Sequence, residues 1–253
     1  MIRAKKSLGQ NFLIDKNIIE RIINTVPIAN NEILEVGPGT GNLTKQILKK
    51  NPRKMFLVEK DTVLAESLKE IIDERVTIYN EDILKFDEKN LSKSKIIVFG
   101  NLPYNISTEI LSAWITSLKK EYWFSDLILM FQKEVADRIV AQFNTSAYGR
   151  LSILVNWRLN INKICDISPE SFSPRPKIQS SLIHFTPKKN FAEIKDPLNL
   201  EKITRIFFSH RRKMLKKPFN QIFNGNTNLL DKFNLDLSLR PQNLDFDTYY
   251  KLT

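Results

Sequence analysis

Along the first two-thirds of the chain, short apolar runs alternate with amphipathic stretches. EILEV (Glu32 to Val36), MFLVE (Met55 to Glu59), VTIYN (Val76 to Asn80) and IIVFG (Ile96 to Gly100) are rich in branched and large apolar side chains, whereas Asn42 to Lys50 and Asp61 to Ile72 place theirs at helical spacing. Strand, helix, strand, helix, strand predicts parallel βαβ units whose sheet is covered on both faces. The pattern continues with a helix over Thr108 to Leu118, a strand at LILMF (Leu127 to Phe131) and a helix over Lys133 to Gln142. Two further strand-like runs follow, LSILV (Leu151 to Val155) and SLIHF (Ser181 to Phe185), separated by a loop holding SFSPRPK (Ser171 to Lys177). Beyond Pro187 only helical stretches remain. The pattern predicts a doubly wound α/β domain over residues 1–186 and a small all-helical domain over 187–253, with no internal repeat.

The punctuation of this pattern carries the first chemistry. Of seven glycines, three are Gly37, Gly39 and Gly41, directly after the first βαβ strand. A Gly-rich strand-to-helix turn lets backbone approach a ligand closely at the carboxyl edge of the sheet. EVGPGTG has neither the G-x-G-x-x-G spacing of dinucleotide binders nor the lysine of a P-loop, so a nucleoside without a pyrophosphate fits better. Glu59 ends the second strand 22 residues after Gly37, where a carboxylate takes the two hydroxyls of a ribose. Asp82, just past the third strand, is placed to accept from an adenine amino group.

At the end of the next strand come Asn101, Leu102, Pro103 and Tyr104. An adenine amino nitrogen is a weak nucleophile because its lone pair is delocalised into the ring. Two acceptors on its hydrogens, the Asn101 side-chain oxygen and the Leu102 carbonyl, favour a more tetrahedral nitrogen aimed at an electrophilic methyl. Tyr104 would stack on a base flipped out of its helix. The same four residues also fit a plain β-turn with a packed tyrosine.

Charge adds a partner class. Lys and Arg number 39 against 28 Asp and Glu, a formal net charge of +11. Residues up to Phe185 carry 26 basic and 21 acidic side chains, and the shorter remainder carries 13 and 7. Within that tail Lys202, Arg205, Arg211, Arg212, Lys213, Lys216 and Lys217 occur with no acidic residue among them, so a helix through the stretch would be positive around much of its circumference. An uncompensated run repels itself unless an anion relieves it, which points to nucleic acid. Composition chiefly excludes. One cysteine (Cys165) and two histidines (His184 and His210) leave little for a disulfide or a metal centre, and no metal is expected. No apolar run reaches the roughly 18 residues of a membrane span, nor is there a secretory signal, so a cytoplasmic location without membrane contact is expected.

The ordered motifs KSLGQNFL (Lys6 to Leu13), EVGPGTGNLT, VEKD, EDIL, GNLPYNIS, FQKEVADRI, YGRLS, FSPRPKIQS and HRRKML resemble those of the ribosomal RNA adenine N6-dimethyltransferase family over nearly the whole chain, and most closely its small-subunit branch. The resemblance implies a Rossmann-like methyltransferase domain and transfer of methyl groups from S-adenosylmethionine to N6 of two adjacent adenosines near the 3′ end of 16S rRNA, within the immature 30S particle. It implies that Asn11 and Leu13 close over the cofactor, that Gly37, Gly39 and Gly41 lie beside its methionine part, and that Glu59 and Asp82 hold its ribose and adenine. It further implies that Asn101 touches both cofactor and target amine, and that Phe172 stacks on the base opposite Tyr104, although a phenylalanine there also reads as core. Arg205, Arg211, Arg212, Lys213 and Lys216 become the expected RNA contacts, and a monomer is the default expectation. The large-subunit branch, which methylates 23S rRNA and confers macrolide resistance, shares the N-terminal and NLPY-like motifs. A non-catalytic RNA-binding assembly factor is a reading of another class, and a hydride-transferring dinucleotide enzyme is disfavoured by the loop spacing.

Overall fold

The structure is a computed structural model that describes residues 4–5, 8–118 and 121–253. Lys6 and Ser7, which open the KSLGQNFL stretch, lie outside the described residues. In chain order the elements are β1 (Phe12–Leu13), α1 (Lys16–Ile23), β2 (Glu32–Val36), α2 (Asn42–Leu48), β3 (Lys54–Val58), α3 (Thr62–Leu68), β4 (Val76–Tyr79), β5 (Ile96–Gly100) and α4 (Ser107–Thr116). They continue with β6 (Phe124–Gln132), α5 (Lys133–Ile139), α6 (Arg150–Arg158), β7 (Leu159–Ile167), β8 (Phe172–Ser173), β9 (Ser180–Pro187), α7 (Pro197–Ser209), α8 (Lys216–Phe223), α9 (Asn228–Phe233) and α10 (Phe246–Lys251).

The chain divides into two compact units. One comprises Met1–Ala113, Leu118–Ala136 and Ile161–Pro187, the other Trp114–Ser117, Asp137–Asn160 and Lys188–Thr253. The second therefore draws on residues 137–160 as well as on the tail that the sequence pattern marks off at 187.

The first unit is built on a seven-stranded sheet of order β4-β3-β2-β5-β6-β9-β7. Strands β4, β3, β2, β5 and β6 run parallel, and β9 is antiparallel to β6. This is the doubly wound Rossmann-like order expected. The chain winds outward from β2 through β3 to β4 and returns to pair β5 with β2 on the other side, so the winding reverses between β2 and β5. Alternate residues of each strand are buried on opposite faces: Ile33, Met55, Leu57, Ile97 and Phe99 join α1 and α2 in one core, while Leu34, Phe56, Val58 and Val98 are at most 2% exposed on the other. Each such side chain contributes roughly 1.5–3 kcal/mol by leaving water, which is why the strands read as continuous apolar runs.

The second unit packs around aromatics. Tyr148 is fully buried, meets the rings of Phe143, Phe208 and Phe246 edge-on and donates its hydroxyl to the Leu244 carbonyl (2.9 Å). Tyr249 donates to the Pro241 carbonyl (2.8 Å) and stacks on Phe208. Tyr148 and Ser152 of the YGRLS motif are thus core-forming, while Arg150 is exposed and pairs with Glu201.

Two expectations are corrected. LSILV is the middle of helix α6, not a strand: Ser152 Oγ accepts the Gly149 N–H (2.8 Å) and donates to the Gly149 carbonyl (2.9 Å), closing a first helical turn that a five-residue apolar run leaves undecided. The strand in that region is β7, whose polar alternation hides it. The basic stretch from Lys202 to Lys217 is likewise not one helix. α7 ends at Ser209, the chain turns through His210 to Leu215, and α8 begins at Lys216. Leu215 is fully buried and its N–H bonds the Leu239 carbonyl (2.8 Å), while Pro218 has no N–H and is suited to the first turn of a new helix.

Candidate active site

Strand register assembles the site. Val36 pairs with Gly100 and with Val58, so the residues that follow, Gly37, Asn101 and Glu59, leave the sheet side by side where the winding reverses, the place where open α/β sheets bind ligands. A cleft open to solvent lies there, lined among others by Gln10, Asn11, Gly37, Gly39, Glu59, Asn101 and Tyr104. The N-terminal segment forms its near wall. Asn101 Nδ2 donates to the Asn11 carbonyl (2.7 Å), Asn42 Nδ2 donates to the Leu13 carbonyl (2.8 Å), and β1 pairs with β8.

Gly39 shows why this turn needs glycine. Its φ is +58° and an added Cβ would stand 2.8 Å from the Phe12 ring. Gly37 (φ +68°) would set a Cβ 3.4 Å from the Asn101 carbonyl oxygen. Gly41, also at positive φ, is the N-cap of α2 and faces Leu68 and Ile71 rather than the cleft.

Three carboxylates define the electrostatics. Glu59 is 6% exposed; Oε2 accepts the Gly39 N–H (3.1 Å) and Oε1 the Asp61 N–H (2.9 Å). Burial raises its pKa, and the two N–H bonds offset this only in part. Glu35, pointing into the sheet face that carries Ile33, accepts from Thr44 Oγ1 (2.7 Å). Burial pushes its pKa up to about 8 against that hydrogen bond, with the Glu59 charge adding to the rise, so Glu35 is largely protonated at neutral pH. Asp82 does not line the cleft itself. Its carboxylate is taken by Lys60 Nζ (2.7 Å) and the Leu84 N–H (3.1 Å), and it is Lys60 and Leu84 that face the cavity. Lys60 chiefly holds the Asp82 pKa below its ordinary value.

On the other side, Asn101, Leu102, Pro103 and Tyr104 come together as the sequence suggests. Asn101 uses its amide N–H on Asn11, and among the described residues nothing donates to its Oδ1. The Leu102 carbonyl likewise accepts no N–H among them. Pro103 brings no N–H of its own to compete for these acceptors. The Tyr104 hydroxyl is hydrogen-bonded to Ser180 Oγ at the start of β9, which ties the ring to the sheet. Phe172 is not brought to the cleft. It is 3% exposed in the core with Leu13, Ile19 and Ile167. Leu13 lines a smaller inner cavity with Glu35, Asn42 and Met130.

In the second unit the predicted RNA-contact residues differ among themselves. Arg205, Arg212, Lys213 and Lys216 are exposed and make no ion pair among the described residues. Arg211 is folded back: its guanidinium bonds the Ser146 carbonyl and Gln242 Oε1 (3.3 Å) and lies 6.0 Å from the Phe208 ring.

Sequence reasoning misses Lys5, Gln10 and Asp61. Asp61 Oδ1 accepts from Lys5 Nζ (2.7 Å) and from the Val63 N–H (3.0 Å), and Oδ2 from Gln10 Nε2 (2.9 Å). An aspartate just before a helix reads as an N-cap, which it is, so nothing local announces its other two partners.

The model of the ribosomal RNA adenine dimethylase family matches residues 1–251. The chain is 62% identical over 251 residues to the ribosomal RNA small subunit methyltransferase A of Pelagibacter ubique (strain HTCC1062), covering 99% of this chain and 96% of that one. A crystal structure of a dimethyladenosine transferase from Plasmodium falciparum superposes with a TM-score of 0.78 at 26% identity, over 95% of each chain. The 23S rRNA methyltransferase ErmE shares the fold, with a TM-score of 0.68 at 20% identity over 95% of this chain and 98% of that one.

Proposed function

Because the chain belongs to the ribosomal RNA adenine dimethylase family, we propose that it dimethylates N6 of two adjacent adenosines near the 3′ end of 16S rRNA, with S-adenosylmethionine as methyl donor. The observation that carries the chemistry is the pair of acceptors, Asn101 Oδ1 and the Leu102 carbonyl, left without donors among the described residues where the sheet winding reverses.

The residues present fit the cofactor. A buried carboxylate whose oxygens each hold one backbone N–H keeps lone pairs for the two ribose hydroxyls, and Gly39 has no room for a Cβ beside Phe12. Glu59 would hold the ribose, Lys60 and Leu84 with Asp82 behind them the adenine side, and Gly37 with Asn11 the methionine side. Bound there, S-adenosylmethionine supplies a sulfonium methyl that is already activated for displacement. What the protein adds is positioning. Asn101 and the Leu102 carbonyl draw the amine hydrogens and turn the nitrogen lone pair toward the methyl, while Tyr104 holds the flipped base by its face. After transfer the cationic amine loses a proton to water. A monomethylated amine keeps one N–H for one acceptor, so the same pocket accepts it for a second round.

Residues 1–186 make up the proposed catalytic domain and 187–253 the RNA-gripping one. Arg205, Arg212, Lys213 and Lys216 are the proposed phosphate contacts, with Arg211 mainly a brace. Phe172 is proposed to support the base pocket only from behind, as part of the buried core. The proposed substrate is the immature 30S particle, met by a monomer in the cytoplasm; no helix among the described residues is long and apolar enough to cross a membrane. The test is incubation with labelled S-adenosylmethionine and immature small subunits or large subunits, followed by digestion to nucleosides. N6,N6-dimethyladenosine from small subunits alone is expected. Label in large-subunit RNA would favour the 23S reading, and no label in either would leave an assembly factor.

A further inference from the structure

Asp61 is almost fully enclosed, with a side chain only 2% exposed, yet it carries charge. Burial works against that charge, and the bonds from Lys5 and Gln10 outweigh it, holding the carboxyl below its ordinary range. Its surroundings make it a junction. The carboxylate gathers Lys5 and Gln10, both from the N-terminal segment, together with the Val63 N–H in the first turn of α3. The backbone N–H of the same residue is one of the two that fix the Glu59 carboxylate. Gln10 and Glu59 both line the cleft.

We infer that Asp61 is a positioning residue for cofactor retention, pinning the N-terminal wall through Gln10 and Lys5 while holding the Glu59 carboxylate in the orientation that meets the ligand. The inference rests on the reading of this cleft as the S-adenosylmethionine site. Its physical content is that wall and carboxylate share one anchor, so loosening Asp61 frees both at once. The Asp61 bonds hold the wall and the Glu59 carboxylate in the geometry that contacts bound ligand, so losing them weakens the bound state. Arrival of ligand depends on diffusion and is less sensitive. The effect should therefore fall on the dissociation rate.

Asp61→Asn tests this without removing the helix cap, because asparagine caps as well as aspartate. Lys5→Met with Gln10→Ala tests it from the opposite side and leaves Asp61 in place. The readouts are calorimetric affinity and stopped-flow dissociation of S-adenosylhomocysteine, beside a thermal melt. Each variant is expected to release the ligand roughly tenfold faster, the size for loss of a charge-assisted hydrogen bond, with a nearly unchanged association rate. Combining all three changes should add little to either, since the pairs act as a unit. An unchanged dissociation rate in folded variants would overturn the proposal, as would additive effects. Glu59→Ala serves as control: if it too leaves affinity unchanged the cleft reading itself fails, whereas weakened binding there with normal release from Asp61→Asn rejects Asp61 alone.

Discussion

The cleft and the basic turn between α7 and α8 are opposite ways of building a functional surface. In the cleft the carboxylates of Glu59 and Asp61 are held by fixed partners, beside Asn101 Oδ1 and the Leu102 carbonyl, which accept from nothing among the described residues. In the turn Arg212 and Lys213 are exposed and unpaired among the described residues, and only Arg211 is tied down. The difference fits the tasks proposed for the two regions. Methyl transfer to a weak nucleophile depends on geometry held to a fraction of an ångström, so the side chains must be locked before the substrate arrives. Gripping a phosphate backbone needs charge and reach, and pre-bonding those cations would only have to be undone.

The largest effect expected from a single change concerns the wall behind the cleft. Phe172→Ala should lower stability by about 3–5 kcal/mol, the range for emptying a core aromatic, seen as a drop in Tm. Tyr104→Ala, by contrast, should leave the melt almost unmoved and weaken target capture by roughly 1–3 kcal/mol. A stable Phe172→Ala protein with impaired base capture would instead place Phe172 on the base face, as the family resemblance implies.

Next comes the acceptor pair. Asn101→Ala should reduce turnover on the order of 10²–10³-fold, comparable to removing one preorganised hydrogen-bonding group from a transition state, while small-subunit binding persists. Asn101→Asp sharpens the point: it keeps an acceptor but loses the donor to the Asn11 carbonyl and sets a charge against that oxygen, so it too should be slow. Near-normal dimethyladenosine from either variant would remove the acceptor argument.

How much of this the sequence discloses depends on which physical constraint wrote the residue. Strands β2, β3, β5 and β6 are legible because burial on both faces forces nearly unbroken apolar runs. β7 is not, because LNINKICDI keeps polar side chains on one face and offers no such run. α6 reads as a strand because five consecutive apolar residues suit either element, and Ser152 decides it through a backbone bond that spacing does not display. The loop at Gly37 and Gly39 is legible since positive φ and close contact leave little choice but glycine. Asp61 is illegible as a junction because its partners lie 51 and 56 residues away in sequence. Charge in the tail is visible residue by residue, yet which cations are spent internally is decided only by folding.

Glu35, in the smaller cavity behind the cleft, gives the first unit a pH signature. In the unfolded chain it loses its proton near 4.5, in the fold near 8. The proton is therefore bound more tightly when folded, and the stability this contributes is complete below about pH 4.5 and lost as pH rises toward 8, amounting to a few kcal/mol at 1.36 per unit. Glu59 and Glu88, also raised by burial, slope the same way. The lowered carboxyls of Asp61 and Asp82 act in the other sense and below their ordinary range, outside this window. Glu35→Gln retains an acceptor for Thr44 and should flatten the fall in Tm across that interval. An unaltered slope would mean that Glu35 is ionised in the fold.

The smallest effects separate the residues of the turn from one another, and they bear most directly on the contrast with the cleft. Removing Arg212 and Lys213 together should leave Tm within experimental scatter, because neither side chain has a partner to lose among the described residues, and should weaken binding to small subunits. Deleting one phosphate-neutralising cation should reduce the slope of log affinity against log salt by roughly 0.7–0.9, so the pair should flatten it by about twice that. Arg211→Ala should do the reverse. It forfeits bonds to the Ser146 carbonyl and Gln242 and the packing on Phe208, lowering stability by about 1 kcal/mol while the salt slope barely changes. Cofactor affinity should not move in either case. If Arg211→Ala flattened the slope as much as the exposed pair, the arginine would be leaving its internal bonds to meet RNA, and the turn would be more like the cleft than its resting geometry indicates. If instead Arg212 and Lys213 lowered Tm with the slope unchanged, the turn would be scaffold, and the grip on RNA would have to come from Arg205, Lys216 or cations elsewhere on the chain.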